Sequence, residues 1–306
     1  MEVNNMSKKD PRARVLDESP FIRKTNQNNE NTPTNPQKIA FAPFIQTLWG
    51  MSENQPPKHH SGNLWHFSET EKRHLLLATG AFTVALGFMS IGGIIPLLRG
   101  NQILILLHLF ISMPIMIIAI GPSFVLHEIG HKISAKYYGC WAEFRADPSG
   151  LRFGVLISML TGFVFMAPGA VMVAGMVTRK QNGHIAAAGP LVNFGLFLIG
   201  IPLGGIILGL CGLIVDPNTG YLSVEAGALY WKQMVYDIVY YWVIANLILG
   251  AFNMLPFGPL DGRKIKAWSE QAFWGMLAMF VIPLYLMFSG QWSPMSVISQ
   301  ISSFII

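Results

Sequence analysis

Residues 103–131 read ILILLHLFISMPIMIIAIGPSFVLHEIGH. The segment 103–126 carries no Asp, Glu, Lys or Arg. As a helix it would be roughly 36 Å long, more than the ~30 Å hydrocarbon core of a bilayer. Pro114 and the Gly121-Pro122 pair are its only breaks, and it runs without a boundary into His127-Glu128-Ile129-Gly130-His131. The stretch predicts a membrane-spanning helix that ends in a pair of histidines.

Similar apolar runs occupy 75–98, 189–215 and 234–255, with a shorter one at 273–288. Residues 153–178 are apolar too, but Gly162 and Pro168-Gly169 interrupt them, and the β-branched stretch 170–177 resembles a strand. That region is expected to be a re-entrant segment or hairpin. The fold class expected is an all-α polytopic membrane protein with about five to six transmembrane helices, a three-helix core and a small re-entrant or β-like segment. The composition agrees. Of 306 residues, 52% are hydrophobic and 12% charged, against about 25% charged in soluble domains.

The charge is unevenly spread. Residues 1–73 hold 18 of the 37 charged residues. Two domains are expected: a disordered tail at 1–70 with a short apolar island at 39–50, and a membrane-embedded body at 71–306. The start lacks an apolar core after its charges, so no cleavable signal peptide is expected. Cys140 and Cys211 lie on different apolar stretches and indicate neither a disulfide framework nor a thiolate metal site. The net charge of +5 sits in loops beside apolar runs and reads as a topology signal, so no nucleic-acid partner is expected. Lys132, Lys136, Arg145 and Arg152 follow the second run, Arg179 and Lys180 precede the third, and Arg263, Lys264 and Lys266 follow the fourth. The 216–230 loop has Asp216 and Glu225 and no basic residue. The positive-inside rule then places the tail and the basic loops in the cytoplasm and 216–230 outside, in a multi-pass protein of the cell membrane. This is consistent only if 153–178 starts and ends on one side.

His127 and His131 are four apart, so on a helix they share one face and can point at a single zinc, with Glu128 beside them. A catalytic zinc takes three protein ligands and leaves one position for water. It lowers that water's pKa to about 7, and Glu128 could take the proton and pass it to a leaving amine. Ionisable residues in an apolar run are costly and usually functional. The third ligand is open at this point. Glu143 and Asp147 sit in a charged loop and are expected to be solvated; Asp237 lies on the fourth run; Asp261 lies in NMLPFGPLDG, residues 253–262, at the same expected face as the histidines.

These residues resemble the site-2 protease family of intramembrane zinc metalloproteases. His127 to His131 match its H-E-x-x-H, and Leu260-Asp261-Gly262 match its distal L-D-G, led by Asn253 and Pro256. Asn193, in Ala188-Gly189-Pro190-Leu191-Val192-Asn193, is similar to the asparagine of its G-x-x-x-N. The resemblance covers about 103–268. It implies one zinc per chain held by His127, His131 and Asp261, with Glu128 as general base and Asn193 and Asn253 supporting substrate or transition state. It also implies hydrolysis within or near transmembrane segments of membrane-protein substrates, single-pass ones above all. No PDZ-like insertion separates the HEIGH and Gly189 segments. The alternative reading is a non-proteolytic protein that binds or transports zinc, which should tolerate loss of Glu128.

Overall fold

The computed structural model describes residues 67–100, 102–166, 169–174, 177–213 and 230–306. The expected tail up to residue 66, its apolar island at 39–50, and the 216–229 part of the loop lie outside the described residues. The elements run α1 (Glu69–Ser90), α2 (Ile94–Arg99), α3 (Gln102–Tyr137), β1 (Trp141–Ala146), α4 (Pro148–Thr161), β2 (Gly169–Ala174), α5 (Arg179–Leu210), α6 (Tyr230–Asn253), α7 (Asp261–Trp268), α8 (Glu270–Phe288) and α9 (Pro294–Ile305). Among the described residues five helices, α1, α3, α5, α6 and α8, are long and apolar enough to cross a membrane. The protein is an all-α multi-pass membrane protein with one two-stranded sheet.

Local chemistry sets the helix ends. The 75–98 run does not form one helix. Gly92 and Gly93 take φ of 73° and 85°, a left-handed backbone that ends α1 and that side chains resist. The third run starts ten residues earlier than its apolar part, at Arg179, because Thr178 and Gln181 form a reciprocal capping box. Ser269 caps α8 by accepting from the Ala272 N–H.

Residues 153–178 divide into the end of a 14-residue helix, too short to span, and a strand. β2 pairs antiparallel with β1, and Ala146 faces Gly169 in the register. The chain therefore leaves the sheet after Ala146 and returns to the same end of it. Ser158 Oγ of α4 donates to the Ala85 carbonyl of α1, so α4 lies along α1. The two ends of this excursion, Ala146 and Gly169, therefore lie side by side.

The segment carrying Glu143 is not a solvated loop. It is strand β1, buried along its whole length. Glu143 is fully buried because Arg145 Nη2 lies 2.6 Å from its carboxylate and Ser68 Oγ donates to it at 3.1 Å. Lys132 is likewise buried, with Nζ 2.6 Å from Glu71 Oε2. Glu71 also accepts from the Phe144 N–H, and His74 Nδ1 accepts from the Ala146 N–H, so α1 covers the outer edge of β1. Lys132 and Arg145 are thus internal ion-pair partners rather than free loop cations, and buried charges survive only when paired in this way. Asp147 caps α4 through the Ser149 N–H.

If the β1–α4–β2 element is re-entrant, single cysteines placed at the exposed positions Ser149 and Thr178, with Cys140 and Cys211 replaced, will react with an impermeant thiol reagent from the same side of the membrane. Labelling from opposite sides would refute the arrangement.

Candidate metal centre

The end of α3 packs tightly on α5. A Cβ on Gly130 would lie 2.8 Å from Val192 Cγ2 and 3.1 Å from the Ala188 carbonyl oxygen, so only glycine allows this approach. The tight contact brings His127 and His131, both buried, against the first half of α5. After α6 the chain turns through 254–260 and starts α7 at Asp261, which is also buried. Gly262 permits that turn to close, since a Cβ there would sit 2.0 Å from the Met254 carbonyl oxygen.

Three ligand atoms meet as a result. His127 Nε2 lies 3.3 Å from Asp261 Oδ2, His131 Nε2 lies 3.1 Å from the same oxygen, and the two nitrogens are 3.1 Å apart. Tetrahedral zinc with bonds of about 2.0–2.1 Å has ligand–ligand edges of ~3.3 Å. The triangle therefore has the size of one face of such a tetrahedron.

The protons agree with this. His131 Nδ1 is 2.7 Å from the Ile185 carbonyl oxygen, which can only accept, so Nδ1 carries the proton and Nε2 a lone pair. His127 Nδ1 is 2.5 Å from Asn193 Oδ1. The Asn193 amide cannot be turned round, because its Nδ2 donates to the Ser123 carbonyl at 3.3 Å and to Asn246 Oδ1 at 3.0 Å. Asn246 Nδ2 in turn donates to Ser123 Oγ at 2.7 Å and to the Trp242 carbonyl at 2.8 Å. This satisfied network of α3, α5 and α6 fixes both imidazoles with Nε2 inward, the arrangement typical of ligating histidines.

Two lone pairs and a carboxylate oxygen at this spacing repel one another unless a cation lies among them. Burial opposes the charge of Asp261, and the Lys264 ammonium beside it favours that charge. Lys264 Nζ stands 3.6 Å from Asp261 Oδ1, leaving Oδ2 for the histidines. Space is kept as well. A Cβ on Gly189 would lie 2.4 Å from His131 Nε2 and 2.6 Å from His127 Nε2. Donor set, proton placement and space all suit a zinc-type divalent ion. Among the described residues this is the one group of three or more His, Cys, Asp or Glu side chains that could hold a metal. Glu128 is half-buried next to His127.

The sequence pattern of peptidase family M50 matches residues 115–273, which include all three ligand candidates. The chain belongs to peptidase family M50. It is a zinc metalloprotease of the site-2 type, with zinc as its metal. It is 36% identical over 177 residues to a protein of Methanocaldococcus jannaschii named as a candidate zinc metalloprotease, a match covering 57% of this chain and 81% of that one. A zinc metalloprotease of the same organism is 26% identical over 151 residues, 49% of this chain and 33% of that one. A Bacillus subtilis protein, also named as a candidate zinc metalloprotease, is 27% identical over 194 residues, 56% and 82% of the two chains. No solved structure matches the chain.

Most of the expected site residues of this M50 peptidase converge, and one does not. Asn193 reaches the site through His127. Asn253 does not: its amide donates to the Leu249 carbonyl of its own helix at 3.0 Å. Asp237 lies near the start of α6, where Gln233 donates to it at 2.7 Å, apart from the triangle. Sequence reasoning missed Asn246, Ser123, Lys264 and the spatial role of Gly189. An asparagine inside the apolar run of α6 was the available signal for Asn246, since buried amides are costly there without a partner.

Gly189→Ala is expected to weaken zinc binding by about 100-fold, the upper end for changes next to a metal site, and Asn193→Ala by about 10-fold. Metal content after dialysis against graded chelator checks both. Full occupancy in Gly189→Ala would mean that the nitrogens do not share a metal.

Proposed function

We propose that this chain hydrolyses peptide bonds within or next to transmembrane segments of membrane proteins, single-pass ones above all, at the cytoplasmic face of the cell membrane. In this reading His127, His131 and Asp261 hold one zinc and Glu128 is the general base. The observation that carries it is the meeting of three deprotonated ligand atoms at 3.1–3.3 Å, with a glutamate one residue from the first histidine.

When bound, zinc lowers the pKa of a coordinated water and polarises the scissile carbonyl. Glu128, next to His127, would serve as the general base that accepts a proton and passes it to the leaving amine. Asn193 holds His127 in the tautomer that turns Nε2 inward, and the Ile185 carbonyl does the same for His131. Lys264 keeps Asp261 charged and engages its second oxygen.

A substrate helix must unwind first, because helical carbonyls are already hydrogen-bonded. β2 pairs with β1 along one edge, and among the described residues its other edge has no strand partner. That edge supports addition of an unwound substrate peptide as a third strand. The body at 71–306, with a core at about 103–268, acts as one membrane-embedded catalytic unit. The cytoplasmic placement is supported by Lys136 at the end of α3, Arg179 and Lys180 at the start of α5, and Arg263, Lys264 and Lys266 in α7 after α6.

Glu128→Gln is expected to retain zinc and to lose at least ~100-fold in cleavage of a co-expressed membrane substrate, the scale of general-base catalysis. Asp261→Asn should lose both metal and cleavage. Persistent cleavage in Glu128→Gln would remove Glu128 from the role of base. Persistent zinc with full activity in Asp261→Asn would remove Asp261 from the ligand set.

A further inference from the structure

Helix α7 brings the only one of the three triangle atoms that does not come from α3. It has eight residues, and its first residue is the candidate ligand. Asp261, Ile265 and Trp268 stand at i, i+4 and i+7 and so share one face. Asp261 and Ile265 are buried on it. Asp261 and Trp268 are separated by ~10 Å along the axis, two turns. On α5, Gly183 and Gly189 are separated by ~9 Å. The two spacings are similar. A Cβ on Gly183 would lie 2.3 Å from Trp268 Cβ, and a Cβ on Gly189 would lie 2.4 Å from His131 Nε2, which Asp261 faces. Trp268 thus meets α5 at Gly183, while Asp261 meets the α3 imidazole that lies against Gly189.

The Trp268 end is held by more than packing. The His184 ring meets the Trp268 ring edge to face at 4.5 Å. The Tyr138 hydroxyl, just past the end of α3, hydrogen-bonds to His184 Nδ1. Arg179 Nε donates to the Ala267 carbonyl. His184 immediately precedes Ile185, whose carbonyl fixes His131. One turn of α5 therefore sets α3 through Ile185 and Tyr138, and α7 through Gly183 and His184.

We infer that Trp268, seated on Gly183 and His184 and tied to α3 by Tyr138, is a positioning residue that sets where the Asp261 carboxylate meets the two imidazoles. The inference rests on the zinc reading above. Its magnitude follows from the lever. Tilting α7 by about 10° around its far end moves Asp261 by ~2 Å over the ~10 Å arm, nearly a whole zinc–oxygen bond.

The test uses the full chain in detergent, stripped with chelator and titrated with cobalt(II), reading the visible absorption band and the affinity by chelator competition. Unfolding of the stripped protein is followed in parallel. Trp268→Ala is expected to bind cobalt 10- to 100-fold more weakly with an altered band, the range for residues that orient ligands. Trp268→Phe should restore most of the affinity, because a ring still fills the seat. Gly183→Ala keeps the tryptophan side chain but pushes it off its seat, and should weaken cobalt as well; it carries the test if Trp268→Ala does not fold. Trp274→Ala, at an exposed neighbouring tryptophan on α8, should bind as the unaltered protein does. Unaltered cobalt affinity and band in the folded Trp268→Ala or Gly183→Ala protein overturns the inference. So does an equal loss in Trp274→Ala. An unaltered protein that takes up no cobalt overturns the metal site itself, a separate failure.

Discussion

Three electron-rich atoms, two imidazole nitrogens and one carboxylate oxygen, are held 3.1–3.3 Å apart with their protons turned away. Left to themselves they would separate. The fold is arranged to prevent this. Gly130 lets α3 and α5 close up, Gly189 leaves room beside the nitrogens, and Gly262 lets the turn after α6 deliver Asp261. Each is a place where a single methyl would push a ligand or its helix away. The repulsion stored in the triangle is what makes it a site for a divalent cation.

The second constraint is the cost of polar groups in an apolar body. Asn193, Asn246 and Ser123 are fully buried, yet they satisfy one another and the backbone. Their network ends on His127, so the need to satisfy buried amides also fixes the histidine tautomer. Glu71 with Lys132 and Glu143 with Arg145 follow the same rule beside the start of α1. Lys132 directly follows His131, so α1 and β1 lock the helix that carries the histidines at the residue after the second one. Removing one member of such a pair would leave an uncompensated charge, at a cost of about 3–5 kcal/mol.

The β1–α4–β2 element shows how irregular backbone is accommodated in such a body. α4 is too short to cross, so the chain must come back, and the Ala146–Gly169 pairing closes the excursion at its mouth. Covering the far edge of β1 with Glu71 and His74 leaves β2 as the strand with a free side among the described residues. The same small sheet thus serves the packing of α1 and supports a place for an extended peptide.

The sequence by itself determined the membrane-crossing helices, because hydrophobic length is a local property, and the histidine pair with Glu128, because a four-residue spacing on a helix has one geometry. It also pointed to Asp261 and Asn193 through resemblance. What it could not carry were contacts across long separations. Glu143 and Arg145 read as a loop because Ser68 and Glu71, the groups that help to bury β1, lie more than 70 residues earlier. Asn253 sits beside the right motif yet turns to its own helix, while Asn246, about two turns earlier on the same helix, joins the network. Only tertiary structure decided these, because the partner of a buried polar group is chosen by which helices touch.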